Sequence, residues 1–189
     1  VIGQKRTSIY LSNLIICALV SVVMCAAFFI AYLCIGIPLL GFFEMDIKQV
    51  LLFTLAVFVL AIAFASIFTL ISMLNHNKAI TAVVCILLAF LLLFAGAQFN
   101  KMLNEPETNM GLMMTDNGQE YQEIPNPNYL EGGERKVVQF LYDFVPGGQA
   151  LQCVSLEANN ITVLPAYSLI IIVLTTGFGG FFFKKKELK

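Results

Sequence analysis

Four long stretches of this chain contain no charged side chain. No Asp, Glu, Lys or Arg occurs between Arg6 and Glu44, Lys48 and Lys78, Lys78 and Lys101, or Glu157 and Lys184. The shortest, 79–100, holds 22 residues. As a helix rising 1.5 Å per residue it is about 33 Å long, enough for a hydrocarbon core of about 30 Å. Within it, 79–99 carries 12 Leu, Ile, Val and Phe residues. At about -0.3 to -0.6 kcal/mol each they favour insertion by very roughly 4–7 kcal/mol, with no charge opposing. Lipid offers backbone groups no partner, and the runs lack the alternation of barrel strands, so each must be a helix. The expected spans are 13–35, 50–73, 79–99 and 163–183, with Pro38 ending or kinking the first.

Composition excludes the water-soluble alternative. The chain is 59% hydrophobic and 12% charged, against about 25% charged in soluble domains. One core cannot hide that much apolar surface, so lipid must cover part of it. The expected fold is an all-α membrane protein with four transmembrane helices and one large loop.

Cationic flanks predict direction. Lys5, Arg6, Lys78, Lys184, Lys185, Lys186 and Lys189 fall at one end of a four-span bundle; Lys48, Lys101, Arg135 and Lys136 fall at the other. The first end is expected in the cytoplasm, with both termini. Loop 100–160, with nine acidic and three basic residues, is expected outside. Its first part, 100–129, is polar and Pro-containing and reads as irregular. Then Val137, Phe140, Leu141, Phe144 and Val145 follow the spacing of an amphipathic helix. Pro146-Gly147-Gly148 breaks it, and Leu151, Val154 and Ala158 suggest a second short apolar face. With no Trp and few cations, these helices are expected to pack on the spans rather than bind lipid surface.

Chemistry-bearing groups are sparse. No Asp, Glu, Lys or Arg lies in a span, which counts against a proton-coupled pump. His76 reads as a solvated turn residue, and the five cysteines fit neither a zinc site nor a disulfide framework. No catalytic or metal-binding residue is assigned. Gly177, Gly179 and Gly180 read as permitting close helix packing. Asn13, Thr54, Ser66, Thr69, Ser72, Gln98, Thr175 and Thr176 are among the polar residues in or beside spans. Ser and Thr there are expected to bond to their own helix backbone.

Three stretches together resemble one family. The opening, Gly3 through Leu14 (GQKRTSIYLSNL), resembles the loop and helix entry after the second span of type-2 ATP-binding-cassette (ABC) permeases. The stretches Tyr129-Leu130-Glu131-Gly132-Gly133 and Phe140 through Ala150 (FLYDFVPGGQA) are similar to the outer loop of bacterial permeases of that family. The ending, Gly180 through Lys189 (GFFFKKKELK), is similar to their C-terminus. The resemblance implies the last four spans of a six-span permease, and the absence of an initiating Met at Val1 agrees with a C-terminal fragment.

The implied organisation is a coupling and entry segment at 1–12, three spans within 13–99, an extracellular loop at 100–160, and a final span with a basic tail at 161–189. The implied role is the permease subunit of an exporter of a lipid, peptide, antibiotic or other amphiphile in the plasma membrane. Its partners would be a second permease subunit, identical or not, and a cytoplasmic ATPase. ATP would be bound and hydrolysed on that ATPase; no cofactor, enzymatic activity or nucleic acid is expected on this chain. Gln4, Lys5, Arg6 and Thr7 would contact the ATPase, with the turn 75–78 a second contact. The competing reading is a non-transporting sensor or immunity protein whose outer loop binds a ligand.

Overall fold

The computed structural model describes residues 5–42, 44–75, 77–115 and 118–185. Four helical stretches are long and apolar enough to cross a membrane: Arg6–Leu40, Ile47–Leu74, Lys78–Leu103 and Val163–Lys184. The chain is therefore a multi-pass, predominantly helical membrane protein. Each stretch extends past the expected span, because a helix continues into its flanks until a cap or a breaker stops it.

The first stretch has three parts: α1 (Arg6–Ala31), a π-helical turn (Tyr32–Gly36) and α2 (Ile37–Leu40). Pro38 explains the interruption. Its ring would clash with the carbonyl one turn earlier, and the wider π turn makes room. The helix then runs one more turn and stops at Gly41, which takes φ 85°. After α3 (Ile47–Leu74), α4 (Lys78–Leu103) starts on a side-chain cap: Asn77 Oδ1 accepts from Ala79 N at 2.9 Å and Ile80 N at 3.4 Å.

The stretch read as irregular instead contains an antiparallel ribbon. Strand β1 (Thr108–Thr115) pairs with β2 (Gly118–Pro125) in a register running from Thr108↔Pro125 to Thr115↔Gly118. Met110, Leu112 and Met114 alternate in β1, but Met113 blurs the pattern and β2 has none; the clearer signal was the turn chemistry of Asp116-Asn117-Gly118. Buried Asn126 ties off the base. Its Nδ2 donates to Glu105 Oε2 at 3.1 Å and Pro106 O at 2.9 Å, and its Oδ1 accepts from Asn128 N at 3.0 Å.

Two short helices, α5 (Gly132–Phe144) and α6 (Pro146–Ser155), form a hairpin before α7 (Val163–Lys185). Pro146 both ends α5 and opens α6, since a proline in the first turn loses no hydrogen bond. The second apolar face expected from Leu151, Val154 and Ala158 does not form. Helix α6 ends at Ser155, Leu156 turns left-handed at φ 56°, and Val154 is exposed. The face that α6 buries is Gln149, Gln152 and Cys153.

Helices α1, α3 and α7 pack as a group. At the terminal end of the group, Tyr10 is fully buried with Leu14 and Phe183. At the other end, Phe53, Ala56, Cys153 and Leu164 are buried together. Helix α4 touches this group little and is joined to it mainly through α5 and α6. Between α3 and α7, Ser66 Oγ and Thr175 Oγ1 lie 2.8 Å apart, one donating to the other. Thr54 and Thr175 bond to backbone one turn earlier, as expected for span hydroxyls. The buried hydroxyls of Thr69 and Thr176 depart from that pattern and have no partner among the described residues.

Candidate functional site

The α5–α6 hairpin is wedged between the spans by backbone contact. A Cβ at Gly147 would overlap the carbonyl of Leu92 in α4, and one at Gly148 would overlap the carbonyl of Tyr142. A Cβ at Gly96 would fall 2.5 Å from the backbone of Gly147. Only hydrogen fits at these three positions. Leu92 lies about 16 Å along α4 from its end at Leu103, at 1.5 Å per residue. The tip of the hairpin therefore sits well inside the bundle rather than over its end.

Polar groups line the hairpin's inner side. Ser168 Oγ of α7 donates to Gln149 Oε1 at 2.6 Å, and both side chains are buried. Asp143 Oδ1 accepts from Gln139 Nε2 at 2.9 Å and from Gln152 Nε2 at 3.1 Å. Burial pushes the Asp143 carboxyl above its ordinary range, and these two bonds only partly oppose it. Tyr142 OH donates to Asn100 Oδ1 at 3.1 Å, and Arg135 Nη2 donates to Leu103 O at 2.9 Å, fastening α5 to α4. Buried Gln152 Oε1 has no partner among the described residues and borders a polar cleft with Asn104, Arg135 and Glu157.

The apolar residues expected to form the packed face of α5 lie on the opposite side. Val137 and Phe140 are exposed, while Leu141 and Phe144 are half-buried. Tyr167 of α7 meets both rings edge-on, Phe140 at 5.7 Å and Phe144 at 5.6 Å. The amphipathic helix is real, but its polar side faces the α4–α6 cleft, and only part of its apolar side is covered, by α7.

A second feature is an apolar cavity of about 580 Å³ between α1, α3 and the end of α6. Phe29, Phe53, Val57 and Phe58 form its inner wall; Met24, Phe28 and Val154, all strongly exposed, form its open margin. Thr54 also lines it, but its hydroxyl already donates to Val50 O at 2.8 Å. No charged side chain lines the cavity. Its size and lining are those of a small-molecule pocket. Nothing in the sequence marked it, because its walls come from three separate segments.

At the terminal end, Lys5 is exposed, and Arg6 and Thr7 are half-buried. Arg6 Nη1 donates to Lys184 O at 3.2 Å, bringing the start of α1 to the end of α7. Tyr10 packs on Phe183 with ring centres 6.3 Å apart and against Gly179, where a Cβ would overlap the phenol. Met73, beside the α3–α4 turn, packs on the same cluster. Lys5, Arg6 and Thr7 thus share this end with the turn 75–78. Gln4 and His76 lie outside the described residues.

Comparison with family models, with curated proteins and with solved structures found no match to this chain.

Proposed function

We propose that this chain is the membrane-spanning permease part of an ABC exporter for a lipid, peptide, antibiotic or other amphiphile. It works with a second permease subunit and is driven by a separate cytoplasmic ATPase. The observation that carries this reading is the docking of Phe140–Ala150, the stretch that resembles the outer loop of such permeases. A helical hairpin pinned to α4 by Gly147 and to α7 by Gln149 suits a cap over a transport route better than a free ligand-binding loop.

The terminal end supports the same reading. Arg6 bridges the first and last spanning helices, so a push on the segment before α1 reaches α7 directly. In this reading that end faces the cytoplasm of the plasma membrane, Lys5, Arg6 and Thr7 meet the ATPase, and loop 100–160 belongs to the outer side, with its hairpin reaching in among the spans.

Co-purification of the full-length protein with any ABC ATPase encoded beside it tests the proposal. The expected result is a stable complex, lost in Lys5→Glu/Arg6→Glu. Failure of the unaltered protein to capture any such ATPase overturns the permease reading in favour of a sensor or immunity protein. A complex that survives the double substitution with unchanged ATP hydrolysis overturns only the coupling role. A Cys at Asn109, in a background without other reactive thiols, is expected to react with an impermeant reagent from outside. Reaction only after lysis would reverse the orientation.

A further inference from the structure

The apolar cavity does not end at its wall. Met45 and Leu156 line both it and a shallow depression of about 450 Å³ whose other lining residues are Glu44, Ser155 and Glu157. Glu44 and Glu157 are exposed, and neither pairs with a cation among the described residues. No basic side chain lines either space. An uncharged aromatic and aliphatic pocket thus opens beside an acidic shelf, and the two lie on elements that the fold holds together: the α2–α3 connection, α3 and the end of α6.

We propose that the joined space is a binding site for a cationic amphiphile, whose hydrocarbon tail lies among Phe28, Phe29, Phe53 and Phe58 and whose positive head rests between Glu44 and Glu157. A tail arriving from lipid gains no water-exclusion energy, so preference comes from close packing against the ring faces and from the charges at the shelf, in a lining that is apolar apart from Thr54 and the Tyr32 phenol. The head selects against anionic amphiphiles because two like charges line its shelf. Exposed Phe28, Met24 and Val154 at the margin leave a side entrance from the apolar surface of the bundle, so a ligand already dissolved in lipid enters without crossing water. This is a statement about binding and stands whether or not the chain transports its ligand.

These 189 residues contain no Trp, and any Trp elsewhere in the full-length protein is replaced by Phe for the test. Phe58→Trp places a single Trp in the cavity wall, and Phe90→Trp places one on the 68% exposed ring position of α4, away from it. The full-length protein is placed in zwitterionic lipid nanodiscs and titrated with dodecyltrimethylammonium brominated near its chain end, a contact quencher. Quenching of Phe58→Trp is expected to saturate, while quenching of Phe90→Trp follows linear partition into lipid. Glu44→Gln/Glu157→Gln is expected to raise the half-saturating concentration about tenfold, as is exchanging the probe for the brominated dodecyl sulfate. Equal, linear quenching at both positions overturns the site. Saturation that ignores both the double substitution and the sign of the head overturns the cationic selectivity. If Phe58→Trp melts abnormally by circular dichroism, Phe29→Trp, on the half-buried inner wall of the same cavity, gives the same reading.

Discussion

Ser168 and Gln149, 19 positions apart in sequence, meet inside the bundle with Oγ and Oε1 separated by 2.6 Å. The serine sits one and a half turns into the last spanning helix, and the glutamine one turn past the tip of the α5–α6 hairpin. Neither reaches solvent, with 0% and 1% of their surfaces exposed. This bond, with the glycine contacts on the other side, fixes how deep the hairpin sits.

Ser168→Ala removes the donor and leaves Gln149 Oε1 buried and unpaired. The expected loss is about 1 kcal/mol, since hydrogen bonds between membrane helices average about 0.6 and reach about 1.7 kcal/mol. Reversible unfolding in mixed micelles measures it. The double variant Ser168→Ala/Gln149→Met should cost less than the sum of the single changes. Strict additivity would mean that the two side chains do not interact.

Gly147→Ala is expected to do far more damage than its one methyl suggests. The added carbon overlaps the Leu92 carbonyl, and backbone on both sides cannot move aside as a side chain could. The hairpin should lift away from α4, seen as new protease cleavage in 126–162 and a lower melting temperature. Gly177→Ala and Gly180→Ala are the controls: nothing lies within 4 Å of either new methyl. They should be neutral or gain up to about 1 kcal/mol from the reduced entropy of the unfolded chain. Equal effects at Gly147 and Gly177 would contradict the close approach.

At the terminal end, Tyr10→Ala empties a fully buried ring position between α1 and α7 and should cost roughly 3–5 kcal/mol. Tyr10→Phe should cost under about 1 kcal/mol, because the hydroxyl bond to Thr175 O is long at 3.4 Å. Thermal unfolding of the two variants separates the packing of the ring from its hydrogen bond. A Phe variant as weak as the Ala variant would place the stabilisation in the hydroxyl instead.

Asp143 gives a pH signature. Its carboxyl is raised in the folded state, chiefly by burial, so the folded protein holds its proton more tightly than the unfolded chain does. That contribution to stability is fully present below the ordinary carboxyl range and is lost as pH rises through the raised value. Asp143→Asn keeps an acceptor for Gln139 and Gln152 without the charge. The variant should melt higher than the parent at pH 7, with the gap closing as pH falls towards the ordinary Asp value near 3.8. A gap independent of pH would assign the effect to shape rather than ionisation.

The spans were written in the sequence because charge is expensive in lipid. Arg6, Glu44, Lys48, Lys78, Lys101, Glu157 and Lys184 bracket them, and each helix ends at or near a bracketing charge. Val137, Phe140 and Phe144 likewise announced a helix by spacing alone. They did not say which side of it would be covered. That was decided by Tyr167, which takes part of the apolar face, and by Asn100, Leu103 and Gln152, whose bonds to Tyr142, Arg135 and Asp143 draw the polar face inward. The β1–β2 ribbon was hidden because only β1, through Met110, Leu112 and Met114, alternates an apolar face while β2 does not, so turn chemistry between the strands was the clearer pointer to it.

The sequence by itself determined four membrane helices, a break at Pro38 and a helix ending before Pro146, all properties of local solvation and backbone stereochemistry. Only the tertiary structure decided where the hairpin docks, how Arg6 reaches Lys184, and that Phe29, Phe58 and Cys153 enclose one cavity beside Glu44 and Glu157. Those outcomes depend on distances between segments far apart in the chain. Close approach at Gly96 and Gly147 sets where the hairpin docks, and a run of apolar residues does not encode which of its neighbours will come that near.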